Sequence, residues 1–197
     1  MSLLHPRTIT RLTSPLGLPV SLAEAKAHLR VAGSEQDDLI RLLIESATEQ
    51  LERDIDQCVI VSSWKQSQES FPRCGEPLEL IKGPIGSVTS VEYYDEDNVL
   101  QTWDSANYEL NPETRTVFCL NDDGWPDTQY AIQKYNVFVT FSCGVSDATN
   151  VSRYIKQAIL LNAGRTFYDP AQENQVNSND GKAYEFLVQK LMRTSYP

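Results

Sequence analysis

The chain reads as an α+β fold: a small bundle of about four helices into which an antiparallel β subdomain is inserted. Two observations predict it. Apolar residues recur at helical spacing only toward the two ends, before Cys58 and after Gly144, whereas the stretch between them holds short β-branched and aromatic runs bounded by Gly, Pro, Asn and Asp. The length of 197 residues suits one domain carrying such an insertion, and a 41% hydrophobic content supports a core of modest size. The expected division is an N-terminal helical part over 18–58, an inserted β subdomain over 59–144, and a C-terminal helical part over 150–197 with a mobile loop at 169–181.

The first helix is announced by a capping box. Ser21 can accept from an orphan amide while Glu24 reaches back, and Leu22, Ala25 and Leu29 follow at helical spacing until Gly33 ends the run. A second start is expected at Ser34, with acids in the first turn to complement the helix dipole. From there Ile40, Leu43, Ile44, Ala47 and Leu51 form an apolar stripe to about Ile55, with Arg41, Glu45, Glu49 and Glu52 on the wet side.

Strands are predicted at Val88 to Tyr94, Thr116 to Leu120 and Tyr135 to Cys143. In the last, Tyr135, Val137, Val139, Phe141 and Cys143 point one way, and the opposite set is mostly polar, as a half-buried strand requires. Gly83-Pro84, Asp95 to Asn98, and Asn121 to Gly124 supply the turn chemistry. Helical spacing returns with Val151, Tyr154, Ile155, Ala158, Ile159 and Leu161, and ends near Tyr168. Residues 169–181 offer almost nothing to bury. A last short helix carries Tyr184, Leu187, Val188 and Leu191 at i, i+3, i+4 and i+7.

Composition excludes several function classes. No apolar run approaches the ~18 residues of a membrane span, and the first residues are not expected to form a secretory leader; synthesis in a cytoplasm, with no membrane partner, is the expectation. The net charge is −10, with basic residues scattered singly, which disfavours stable DNA binding. The four cysteines are widely spaced and contain no C-x-x-C pair, so reduced, buried thiols are expected and no zinc site.

No catalytic constellation emerges, and no catalytic residue, metal ligand or cofactor is expected. His5 and His28 are the only histidines, and no serine sits in a nucleophile elbow. The acids Asp95, Glu96, Asp97, Asp122 and Asp123 occupy turn positions and lack calcium-loop spacing. The run Gly83 to Ser87 lacks the lysine of a phosphate loop. Trp64, Trp103 and Trp125, without interleaved basic residues, suit a core or a subunit contact better than a base-stacking platform.

The run from Pro19 through Ser21-Leu22-Ala23-Glu24-Ala25-Lys26-Ala27-His28-Leu29-Arg30 to Asp37-Asp38-Leu39-Ile40 and Leu51-Glu52-Arg53 resembles the opening of the head–tail connector (adaptor, or head-completion) proteins of long-tailed phages and phage-like particles. The likeness continues through Trp64, Phe71-Pro72, Leu80 to Val88, the strand Ser87 to Asp95, Tyr108, Val137 to Phe141 with Gly144, and the helix Ile155 to Leu161. In order and spacing it covers about residues 18–168; the family's usual TAGYG motif is Ser142-Cys143-Gly144-Val145 here, and 169–197 match only in type. The resemblance implies a non-enzymatic virion assembly protein made in the host cytoplasm. Its copies would form a ring, dodecameric to match the portal, that docks beneath the portal protein and joins it to a stopper or tail-side protein. DNA would then be only passing cargo. The alternatives are a stopper or tail-completion protein of the same junction, or a metal-dependent DNA-processing enzyme built on Asp95, Asp97, Asp122 and Asp123. The candidate interaction residues are Tyr184, Leu187, Val188, Leu191 and Tyr196.

Overall fold

A computed structural model of the chain describes residues 7–15, 17–73, 75–128, 134–169 and 179–194, apart from the side chains of 180, 193 and 194. The fold is α+β with antiparallel sheets, and the chain divides into two compact units. One unit takes Leu16–Ile60 and Val145–Pro197 and holds the helices; the other takes Met1–Pro15 and Val61–Gly144 and holds the sheets.

In the helical unit, α1 (Leu22–Leu29) opens with the complete capping box: Glu24 N donates to Ser21 Oγ, and Ser21 N donates to Glu24 Oε2 at 2.7 Å. It ends at Arg30, whose left-handed φ of 55° turns the chain. The next helix, α2 (Asp37–Asp54), begins after Gln36 without a side-chain cap. Ser34 is thus not the cap it resembled; its carbonyl accepts from Asp37 N in a preceding turn, while Lys26 Nζ meets Asp37 at 2.6 Å from α1. The stripe Ile40, Leu43, Ile44, Ala47 and Leu51 is buried as expected, but Glu52, expected on the wet side, is buried too. Its side-chain oxygen accepts from Val59 N at 2.7 Å, so burial comes with a hydrogen-bond partner. Two further helices, α3 (Arg153–Tyr168) and α4 (Asn179–Thr194), complete the unit. Ala158, Ile159 and Ala163 of α3 join the α2 stripe in one core together with Val20, Leu29 and Val151. Residues 170–178 of the expected 169–181 loop lie outside the described residues, and α4 takes in 179–181.

The sheet unit contains β1 (Arg7–Arg11), β2 (Ser62–Gln68), β3 (Leu78–Glu79), β4 (Ile85–Tyr94), β5 (Leu100–Trp103), β6 (Tyr108–Asn111), β7 (Thr116–Cys119) and β8 (Val137–Cys143). A five-stranded sheet runs β1-β2-β8-β4-β5 and a three-stranded sheet β3-β7-β6, all neighbours antiparallel. Residues ahead of the first helix, for which no element is predicted, supply an edge strand, paired from Arg7↔Gln68 to Arg11↔Trp64. Central β8 alternates as predicted from Val137 on, burying Val137, Val139, Phe141 and Cys143, but it starts two residues later than expected, with Tyr135 only partly buried and Asn136, expected outward, buried. Phe71, Trp103 and Trp125 cluster over this face: Phe71 stacks on Trp125 at 5.0 Å between centroids, and Trp103 lies 5.1 Å from Trp125. The Trp125 indole N–H donates to the Glu76 carbonyl at 3.0 Å, so the ring can be buried without an orphaned donor. Gly86 sits where β4 shifts register against β8, and a β-carbon there would meet Ser142 Oγ at 2.9 Å.

One expectation is corrected by the thiols. Cys58 and Cys143 are each disulfide-bonded, not reduced, while Cys119 is free and Cys74 lies outside the described residues. Disulfide formation depends on Cα approach in the fold, which widely separated positions do not encode in their spacing.

Candidate interaction surfaces of the helical unit

The helix proposed from sequence as a contact element packs its stripe inward. Tyr184, Leu187 and Leu191 of α4 are buried in the core shared with α2 and α3, and Val188 is half-buried against it. Tyr196 lies outside the described residues. Tyr184 donates its hydroxyl hydrogen to Asp54 Oδ2 at 2.7 Å, tying α4 to the end of α2. Burial, then that bond, and then the Asp54 charge push the phenol well above the usual tyrosine range. Arg165 of α3 lies over the same ring, 5.8 Å from its centroid.

What α4 leaves outside is a different set. Phe186 is 66% exposed, an unusual position for a phenylalanine on a helix whose other face is apolar. Lys182 and Lys190, both exposed, lie one turn and a fraction to either side of it. Lys190 Nζ stands 3.9 Å from the centroid of Tyr154, near the start of α3, and lowers that phenol's pKa by hydrogen bonding. Tyr154 was expected to face the core and is instead nearly half exposed, because Ala158, Ile159 and Ala163 supply the buried side of α3.

A second outward face lies on α2. Leu39 is 48% and Leu42 60% exposed, outside the i, i+3, i+4 series that fills the core. Asp38, Glu45 and Glu49 flank them in the open. Arg41 approaches Asp38 at 3.9 Å, an exposed pair of little energetic weight. The signal for both faces was in the sequence, as apolar residues in excess of those one stripe can bury; spacing alone picks out the stripe and not the surplus.

The acids considered for metal chemistry serve turns. Asp95 Oδ1 accepts from the amides of Asp97 and Val99 at 3.1 and 2.8 Å, and Oδ2 from Gln101 Nε2 at 2.7 Å. These bonds, led by that from Val99, hold the carboxyl below its ordinary pKa. Asp122 and Asp123 sit in the turn closed by Gly124 N on the Asn121 carbonyl at 3.0 Å. Among the described residues no group of three His, Cys, Asp or Glu side chains could hold a metal ion. His28 is exposed on α1, and His5 lies outside the described residues. The three tryptophans are buried in the sheet unit; Trp64 donates to Ser62 Oγ at 2.9 Å and carries Arg11 and Lys82 over its ring. No described helix is long and apolar enough to cross a membrane.

Residues 19–74 match the family model described as phage gp6-like head-tail connector protein, which bears out the resemblance over that segment. No curated protein sequence matches the chain. Among solved structures, the chain is similar to one from the neck of an empty GTA particle treated with C6 symmetry, with a TM-score of 0.76, 17% identity, and 93% of this chain and 94% of that one covered. A chain from the virion of a native gene transfer agent (GTA) particle gives 0.74 at 18% identity, and one from the neck of the native particle treated with C12 symmetry gives 0.73 at 16%, both with the same coverage. At these identities the likeness is one of fold.

Proposed function

We propose that the chain is a structural subunit of the head–tail junction of a phage or phage-like particle: a connector (adaptor) forming a ring beneath the portal, linking it to a stopper or tail-side protein and lining the DNA channel. The observation that carries this reading is the coincidence of two separate likenesses. The connector family model matches residues 19–74, and chains from particle necks share the fold over 93% of this chain. The cyclic symmetries applied to those necks support a ring of copies. In this reading a helical body is interrupted by a β insertion, and the acidic surface keeps passing DNA from adhering. The C-terminal helix is the contact element: Tyr184, Leu187, Val188 and Leu191 set its position from within, and its outward residues, with Tyr196 beyond them, meet the neighbour.

The experiment is electron microscopy of assembled particles from the phage or element that encodes the chain. A ring of density fitted by this fold directly against the portal is the expected result. A position lower in the junction would make the chain a stopper or tail-completion protein, and its absence from the particles would overturn the reading.

A further inference from the structure

The two outward faces of the helical unit have matching patterns of opposite sign. On α2, Leu42 stands between Asp38 and Glu45, at i−4 and i+3, with Glu49 one turn on. On α4, Phe186 stands between Lys182 and Lys190, at i−4 and i+4. At a rise of ~1.5 Å per residue the flanking acids are roughly 10 Å apart along their helix and the flanking lysines roughly 12 Å along theirs. An apolar side chain bracketed by acids thus faces a geometric counterpart bracketed by bases. Glu185 and Arg41 interrupt the two patches without reversing either, since Arg41 already lies toward Asp38 and Arg153, exposed beside Tyr154, adds to the basic side.

We infer that the Asp38–Leu42–Glu45 face of α2 docks on the Lys182–Phe186–Lys190 face of α4 in a second copy of this chain. The inference deepens the ring reading and rests on it. Two different surfaces meeting head to tail make a heterologous contact, which either closes into a ring or runs on as a filament. The leucine and phenylalanine, largely exposed in the single chain, supply the apolar centre. The charges supply the rim, setting register and rejecting acid-to-acid and base-to-base pairings. Such a contact weakens as salt rises, because its charges lie at the margin of the patch.

The test uses the full-length chain and two variants, Asp38→Lys with Glu45→Lys, and Lys182→Glu with Lys190→Glu. All four positions are exposed, and although Lys190 also stands over the Tyr154 ring, substitution there is expected to leave folding within the ordinary surface range, which circular dichroism and a thermal melt of each variant check. Association is followed by sedimentation up to about 1 mM. Zero-length carbodiimide coupling is run in parallel on a mixture of isotope-labelled and unlabelled chains. Expected are inter-copy links from Asp38 or Glu45 to Lys182 or Lys190, and self-association at least about tenfold weaker in each variant. Mixing the two variants restores it, because each then offers the face the other lacks. A native chain that stays monomeric with no inter-copy link would overturn the inference, as would a lysine-reversed variant that associates normally or a mixture that fails to recover. Incorporation into particles separates the two levels: reversed variants entering the junction as well as the native chain sink this contact alone, whereas native chain missing from particles sinks the connector reading.

Discussion

The Tyr184 hydroxyl donates to Asp54 Oδ2 at 2.7 Å, joining the first turns of α4 to the last residue of α2. Between them the two residues keep a polar group inside an apolar core without an unpaired donor. Tyr184→Phe removes that donor and keeps the ring, so a loss of about 1–2 kcal/mol is expected in denaturant unfolding. The pH dependence follows from the same environment. A folded-state pKa raised above the ordinary 10.0 gives stability that is fully present below that value and lost as pH rises above it. Thermal melts from about pH 8 to about pH 11 should fall more steeply for the native chain than for Tyr184→Phe; parallel curves would disprove the assignment.

The Ser21–Glu24 box fixes the start of α1 with reciprocal bonds, and Lys156 of α3 reaches Glu24 Oε1 at 3.3 Å. Ser21→Ala should cost about 1 kcal/mol, the usual loss at an N-cap. The bond from the Ser21 amide, chief among the contacts at Glu24, lowers its pKa. Its contribution is therefore present above the ordinary carboxylate range and lost as pH falls through the folded value. Acid unfolding should begin at higher pH in the native chain than its neutral-pH stability alone predicts, and Glu24→Gln should flatten that limb.

How much of this was legible depended on which side chains carried the pattern. In β8 the alternation is written in Val137, Val139 and Phe141, and it is read directly. In β2 the inward positions are Ser62, Trp64, Gln66 and Gln68, and glutamines carry no hydrophobic signal. Gln66 is fully buried only because its Nε2 donates to the Glu79 carbonyl and its Oε1 accepts from Ile81 N, partners that only the fold brings near. β1 was missed for a related reason: five residues with one aliphatic among them become a strand by pairing with β2. The site divides the same way. Spacing found the stripe of Tyr184, Leu187 and Leu191 but could not say that α2 and α3 would cover it, and so it passed over Phe186 and Leu42, which among the described residues stay 66% and 60% exposed.

Glu52 offers a sharper case of a polar group kept inside. Its side-chain oxygen takes the Val59 amide where the chain leaves α2. Glu52→Ala strands that amide and is expected to cost about 1–3 kcal/mol, whereas Glu52→Gln keeps an acceptor and should recover most of the loss. Urea unfolding of the three proteins, with amide exchange at Val59 as the local readout, separates the hydrogen bond from simple loss of packing. Equal destabilisation by both substitutions would show that the bond is not what matters there.

Asp95 decides between a turn and a metal site. Three donors already converge on its two oxygens, from Asp97, Val99 and Gln101, and a carboxylate so occupied is a poor hard-cation ligand, because binding would displace bonds that close the loop. Asp95→Asn keeps the Oδ1 acceptor and should preserve the turn; Asp95→Ala removes both acceptors and should loosen the β4–β5 connection, seen as faster amide exchange at Val99. Magnesium, manganese or calcium at millimolar levels should leave the melting temperature of the native chain unchanged, and no cleavage of duplex or single-stranded DNA should accompany them. A cation-dependent rise in melting temperature that disappears in Asp95→Asn, Asp97→Asn or an Asp122→Asn/Asp123→Asn pair, together with nicking of DNA, would replace the connector reading with that of a metal-dependent processing enzyme.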